Sequence, residues 1–489
     1  MPLQDSKPGL DRIRRQARLT LVVVGLVTAH SMGSQSSTFE GHFLDRTMRL
    51  DFFHTGGPGG EVVALDRIVA DGTWPGSRTR LIDDTNLGTY RFFVRSADTG
   101  EVLYSRGLSS LYAEWETTPE ATRQARTFHE SLRFPWPRES ITVGLARRDD
   151  DGDFLEIWST AVDPMSRFVN RAERIARDQP WSLLDNGPPA EKVDLLIVGD
   201  GYRRDERSKL HDDASRLLEA LLQHEPFATR RSDFNVRVLH VPSEETGVHR
   251  PRAGAHRRTP LSTEFNIFDS ERYVLTHDNR ALRDLASAAP YEFIEILVND
   301  RQYGGGGIFN SHATTSVDSA FSTYVFVHEF AHHFAGLADE YFTSDVAYVT
   351  GSPDHREPWE PNVTAVHDPG AIKWQRFIGP STPVPTPWDK TAYERRSAEF
   401  QAERRERRDA GDPEEVIDAL FRREERWSTM FLASQRHAGA VGAFEGAAYE
   451  TRGLYRPEID CVMFSRNSVG FCRVCQAALA SIIDLYATP

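Results

Sequence analysis

At 489 residues the chain exceeds what one typical core supports, and 39% apolar residues suffice to bury two. Asp plus Glu total 72 against 58 Lys plus Arg, a formal net charge of -14. That balance argues against a nucleic-acid partner, because affinity for phosphate backbones comes largely from Lys and Arg.

The N-terminus reads as an export signal. Arg12, Arg14, Arg15 and Arg18 precede an apolar run over residues 19–29, and Val27 and Ala29 fit the small-residue positions of a cleavage site. The run is too short to cross a bilayer, which takes roughly 20 apolar residues. Residues 1–29 are therefore expected to be a signal peptide, leaving no stable membrane span and a secreted, periplasmic or cell-surface protein.

Short alternating runs at residues 90–94, 141–146 and 154–160, separated by turn-rich stretches at 55–60 and 149–153, predict an antiparallel β-sandwich-like domain over residues 38–163. It carries no catalytic constellation. Residues 164–191 read as a linker with one charged helical piece at 167–177. Beyond it the pattern changes. Apolar strands at 193–198, 234–241 and 294–298 alternate with helices at 206–222 and 280–289, which predicts an α/β domain over residues 192–489. Gly304, Gly305, Gly306 and Gly307 form a run without the Lys-Ser/Thr ending of a phosphate loop. It reads either as a flexible turn or as bare backbone open to an extended peptide. Residues 393–427 are strongly charged and helix-favouring, and are expected to form an inserted hairpin with a solvated face.

The chemistry concentrates at His328, Glu329, Phe330, Ala331 and His332, an HExxH motif inside an apolar segment. Four residues are just over one helical turn, so both imidazoles face the same way and can share one zinc ion. Glu329 stands beside them as a candidate general base for a metal-activated water. Gly336 is expected to end the helix in a left-handed turn and swing the chain back toward the metal. The third ligand is then Asp339, with Glu340 as the alternative or as a support for a histidine. Relative to the usual metzincin spacing, glycine and acid are each displaced by one, giving HExxHxxxGxxD with Ala335 and Ala338 at the standard positions. His333 points about 100° away from His332 and takes no ligand role. Downstream, Met463 is a candidate methionine turn beneath the metal. Cys461, Cys472 and Cys475 could pin that turn. They allow one local disulfide, or half a metal site, although no second Cys pair or suitable His pair lies nearby in the sequence. Tyr341 and Tyr455 are candidate oxyanion donors.

On these residues the chain resembles the bacterial IgA-peptidase family of zinc metallopeptidases from Thr38 onward. The match rests on residues 303–310, 328–341 and 453–475, with His328, Glu329, His332, Gly336, Asp339 and Tyr341 in register and Met463 at the methionine turn. The resemblance implies a β-sandwich-like domain followed by a metzincin-like catalytic domain, one Zn2+ per chain, an exported enzyme, and a protein or peptide substrate. Two rival readings are a noncatalytic surface-binding protein with a structural zinc and a metallohydrolase of nonpeptide amides.

Overall fold

Alternation of inward and outward side chains builds the first half of the chain. In β1 (Phe43–Gly57), Met48, Leu50 and Phe52 point into a core at 0%, 0% and 1% exposure. The other strands here are β2 (Gly60–Ala70), β3 (Tyr90–Ser96), β4 (Val102–Leu108), β5 (Arg126–Pro137), β6 (Ile141–Arg148), β7 (Phe154–Val162) and β8 (Val169–Asn170). They form two four-stranded sheets, in the orders β5-β1-β2-β8 and β4-β3-β6-β7. Pairing is antiparallel except for the short parallel β2–β8 contact. Phe92, Val94 and Leu145 of the second sheet meet Leu50, Phe52 and Phe134 of the first in one shared core. Two short helices, α1 (Phe39–His42) and α2 (Leu111–Glu116), complete this half. The structure is a computed structural model that describes residues 38–172, 179–343 and 355–487; the expected signal peptide lies outside them. The helical piece expected at 167–177 is a correction over its described part, where residues 167–172 form a turn and β8, and the rest lies outside the described residues.

The opposite face of β1 is buried too, but it is ionic. Arg49 contacts Asp51 (2.9 Å), Asp71 (2.6 Å) and Asp284 (2.5 Å). Arg67 bridges Asp51 and Asp284, and Arg133 holds Asp71. Asp284 lies in α4 (Asn279–Ala286), so this network fastens the first half to the second. Removing one partner of a fully buried pair leaves charges uncompensated, at a cost of about 3–5 kcal/mol. Arg49→Ala is accordingly expected to lower the urea midpoint strongly, and an unchanged midpoint would mean that the network adds nothing.

The second half is organised around a six-stranded mixed sheet. Its strands are β9 (Trp181–Leu184), β10 (Val193–Asp200), β11 (Phe234–His240), β14 (Phe293–Val298), β15 (Gly305–Ile308) and β16 (His312–Ser316), in the order β15-β16-β14-β10-β11-β9. The small strands β12 (Glu264–Phe265) and β13 (Val274–Leu275) pair separately. Every residue of β10 is buried, as expected of a strand covered on both faces. Its side chains sort by period two. Val193, Leu195 and Ile197 join the core under α3 (Arg207–Leu221), α5 (Ser322–Ala335) and α8 (Arg473–Tyr486). Leu196 and Val198 join the opposite core with Leu282 and Ala286 of α4. The helices α6 (Lys390–Asp409) and α7 (Glu414–Ala433) and the hairpin β17 (Phe444–Ala447)–β18 (Glu450–Arg456) are added near the open end of α5. Among the described residues no helix is long and apolar enough to cross a membrane.

The glycine run is not a flexible turn. Gly305, Gly306 and Gly307 lie in the edge strand β15, paired antiparallel with Thr315, Thr314 and Ala313 of β16. Close packing explains the composition. A Cβ on Gly305 would come within 2.6 Å of Val325 Cγ1 and 2.8 Å of Glu329 Cγ, and one on Gly307 within 2.3 Å of the Glu329 carbonyl oxygen. The strand thus rests directly on the HExxH helix.

Candidate metal centre

The helix α5 is apolar on most of its surface because other elements cover it: Val325, Phe326, Val327, Phe330, Ala331 and Phe334 are all buried. His328 and His332 rise from the side that faces the cleft, with ring centroids 4.6 Å apart. Gly336 ends the helix at φ 59° and ψ 34°, its N–H donating to the carbonyls of Ala331 and His332. That left-handed conformation favours glycine, and a Cβ would also strike the Trp359 ring at 2.5 Å. The chain then folds back over residues 337–339. Asn362, fully buried, clasps this turn by accepting from Ala338 N–H (2.8 Å) and donating to the Ala338 carbonyl (2.9 Å).

The fold-back brings Asp339 to both histidines. Its Oδ1 lies 2.9 Å from His328 Nε2 and 3.2 Å from His332 Nε2, and the two nitrogens are 3.0 Å apart. Three atoms about 3 Å apart lie on a circle of radius about 1.7 Å, the side divided by √3. This is shorter than the Zn–N distance of about 2.0–2.1 Å, so one ion fits just off their plane. The tautomers fit as well. His328 Nδ1 donates to the Val462 carbonyl (3.1 Å) and His332 Nδ1 to the Leu337 carbonyl, which leaves both Nε2 lone pairs aimed at the common point. When the Nε2 atoms carry protons in place of a metal, burial opposes the charge on Asp339, but His332 and the hydrogen bond from His328 hold its carboxyl well below the usual range. Burial likewise lowers His332, yet Asp339 outweighs it and pushes the imidazole up to about 9.

Glu329 lines the cleft beside these groups and makes no hydrogen bond to them. Burial raises its pKa above the ordinary carboxylate value, while His328 and His332 pull it down. Under α5, Glu295 of β14 is fully buried, and neither carboxylate oxygen has a hydrogen-bond partner among the described residues. Burial, and then the charge of Glu329, push the pKa of Glu295 well above the ordinary carboxylate value. His333 takes no part in the cluster. It is fully buried, donates from Nδ1 to the Ile308 carbonyl (3.0 Å) and accepts the Ile294 N–H at Nε2 (3.2 Å), tying the helix to β15 and β14.

One support was invisible in the sequence. The Tyr449 hydroxyl donates to Asp339 Oδ2. Tyr449 sits in the β17–β18 turn, where Ala448 and Tyr449 have φ of 48° and 65°. That turn type normally takes Asn-Gly, so no turn signal marks it. Two backbone bonds hold it, Ala448 N–H to the Asp339 carbonyl (2.9 Å) and Tyr449 N–H to the Tyr341 carbonyl (3.0 Å). Met463 is fully buried, and its carbonyl accepts the Glu340 N–H at 2.9 Å. Glu340 supports neither histidine. Its side chain turns away from the cleft and accepts from Asn362 (3.0 Å) and from the Cys475 thiol (3.3 Å).

The cleft over this cluster has a volume of about 970 Å³. Tyr341 lines it, its ring 6.1 Å from that of His328, and the Arg272 guanidinium lies 5.2 Å from the Tyr341 ring. Tyr455 is absent from the lining and pairs its backbone with Thr364, so the donor role expected of it is not available there. The charged hairpin also departs from expectation. Arg404 and Arg408 of α6 and Phe421 and Glu424 of α7 form part of the cleft wall, and Phe421 packs on Tyr303 at 5.2 Å.

Gly305→Ala should displace Glu329 or Val325, because the new methyl would lie 2.6–2.8 Å from their side chains. Any activity that depends on the position of Glu329 is expected to fall, by as much as about 100-fold, as for other misplacements at a reacting centre. Unchanged turnover would show that the strand does not position Glu329.

A family model described as IgA Peptidase M64 matches residues 181–483, and one described as Peptidase M64 N-terminus matches residues 38–159. No curated protein matches the chain.

Proposed function

Because the chain belongs to the M64 family of IgA peptidases, we propose that it is a zinc-dependent endopeptidase with His328, His332 and Asp339 as metal ligands and Glu329 as general base. The carrying observation is the convergence of two Nε2 atoms and one carboxylate oxygen within about 3 Å of one another, each imidazole oriented by a backbone carbonyl. A bound Zn2+ would supply Lewis-acid polarisation and lower the pKa of water toward about 7.

The remaining steps belong to the protein's own groups. An extended substrate lies in the cleft with its scissile carbonyl over the cluster. Glu329 takes a proton from the attacking water and passes it to the leaving nitrogen. Tyr341 or Arg272, both on the cleft wall, offers a donor to the developing oxyanion. Tyr449 holds Asp339 in its ligating orientation. The glycine-to-acid spacing and the Met463 turn favour a metzincin-like arrangement. The apolar run over residues 19–29 favours an exported enzyme acting on proteins or peptides outside the cytoplasm.

The test is cleavage-site mapping on an unfolded protein substrate, with and without a chelator. Internal cleavage that a chelator abolishes and Zn2+ restores is the expected result. Cleavage indifferent to chelation would overturn the metal reading, and no cleavage of any peptide would overturn the proposed substrate class.

A further inference from the structure

A second group of metal-ligating side chains lies beneath the first and has no place in the reaction just described. We propose that Glu340, Cys461, Cys472 and Cys475 form a buried structural site for a zinc-like divalent cation. All four residues are buried, at 0%, 0%, 4% and 0% exposure, and the three cysteines are free. One potential ligand atom from each lies within 4.8 Å of all the others.

The spacing is that of coordination and not of a disulfide. Cys461 Sγ and Cys475 Sγ are 3.9 Å apart, whereas a disulfide holds its sulfurs at about 2.05 Å. The edge of a tetrahedron with Zn–S bonds of about 2.3 Å is about 3.8 Å. Cys475 Sγ lies 3.3 Å from Glu340 Oε1, near the edge of about 3.5 Å expected between a sulfur and an oxygen ligand at bond lengths of about 2.3 and 2.0 Å. The other carboxylate oxygen, Glu340 Oε2, is buried and has no hydrogen-bond partner among the described residues. Such an oxygen is costly unless something else satisfies it.

Backbone donors reach two of the sulfurs, as they do in sets of thiolate ligands. Cys461 Sγ accepts the Cys472 N–H (3.3 Å) and Cys472 Sγ accepts the Cys475 N–H (3.4 Å). Cys472 caps the N-terminus of the 14-residue helix α8, where the helix dipole stabilises a thiolate. Loading the site would release the protons of three thiols and of the carboxyl group, if protonated, to solvent, and would leave every oxidation state unchanged.

The location gives the cation a purpose. Glu340 follows Asp339, and Cys461 precedes Val462, whose carbonyl orients His328. One ion would therefore clamp the Asp339 turn, the Met463 turn and the start of α8 together. The sequence hid this site because the CxxC pair lacks a second pair nearby. The missing ligands are Cys461 and, from the position directly after Asp339, Glu340.

Metal analysis of the whole protein, purified under reducing conditions, scores the two sites separately. The His328→Ala/His332→Ala double variant leaves the thiolate cluster intact and is expected to retain one zinc equivalent per chain, one fewer than the unmodified protein. Its cobalt-substituted form should show an intense near-ultraviolet sulfur-to-cobalt charge-transfer band. Cys472→Ser should lose that equivalent and that band. Because the double variant keeps all three cysteines, its result stands even where Cys472→Ser fails to fold. A double variant without metal, a cobalt spectrum lacking the band, or a disulfide among the three cysteines in the native protein would overturn the second site. If the double variant and the unmodified protein hold the same single thiolate-bound ion, the second site stands and the catalytic-metal reading fails instead.

Discussion

Glu329→Gln is expected to lower kcat about 10²–10⁴-fold while metal content stays unchanged, the usual worth of a positioned general base. The substitution keeps side-chain size, so the contacts that fix α5 against β15 persist. It removes only the ability to accept a proton. Glu329 makes no hydrogen bond to either histidine, whereas Asp339 contacts both, so the amide should not disturb the ligand set. The check is a parallel measurement of peptide turnover and zinc content on the purified variant. A variant that turns over normally would remove Glu329 from the mechanism, and one that loses zinc would make it a ligand.

His332→Ala should do more. Changing a group that only orients a ligand typically weakens metal binding about 10–100-fold. Loss of a ligand itself should exceed that, and activity should fall to background. Tyr449→Phe provides the contrast within the same cluster. It removes the hydroxyl that holds Asp339 Oδ2 and leaves the three ligand atoms in place, so its effect on zinc affinity should stay near about 10-fold. Competitive chelator titration orders the two variants, and equal affinities in both would break the proposed hierarchy of ligand and support.

What the sequence made legible follows from periodicity. β10, β11 and β14 stand where apolar runs predicted strands, α3 and α4 where the helical pattern predicted helices, and α5 where the HExxH motif sat in an apolar segment ended by Gly336. The HExxH spacing and Gly336 anticipated the meeting of His328, His332 and Asp339 because every step in that argument is local: one helical turn, one left-handed cap, one short return. The elements that escaped are decided by distant packing. Glycine has poor strand propensity, so β15 could be recognised only from the surface of α5 pressed against it. The charge of α6 and α7 signalled a solvated hairpin, but could not reveal that Phe421 anchors one side to Tyr303 at the cleft wall. Tyr449 and Asn362 reach the site from segments with no motif. Glu340, adjacent to Asp339, faces the other way because chain reversal after Gly336 sends neighbouring side chains to opposite sides of the turn.

The central claim is that one helix and the bend that ends it deliver three ligands to a single ion. Diffraction data collected on either side of the zinc absorption edge test it most directly. The account predicts an anomalous peak about 2.0–2.1 Å from His328 Nε2, from His332 Nε2 and from an Asp339 oxygen. No peak between the two imidazoles, or a peak there with Asp339 turned away, would contradict it.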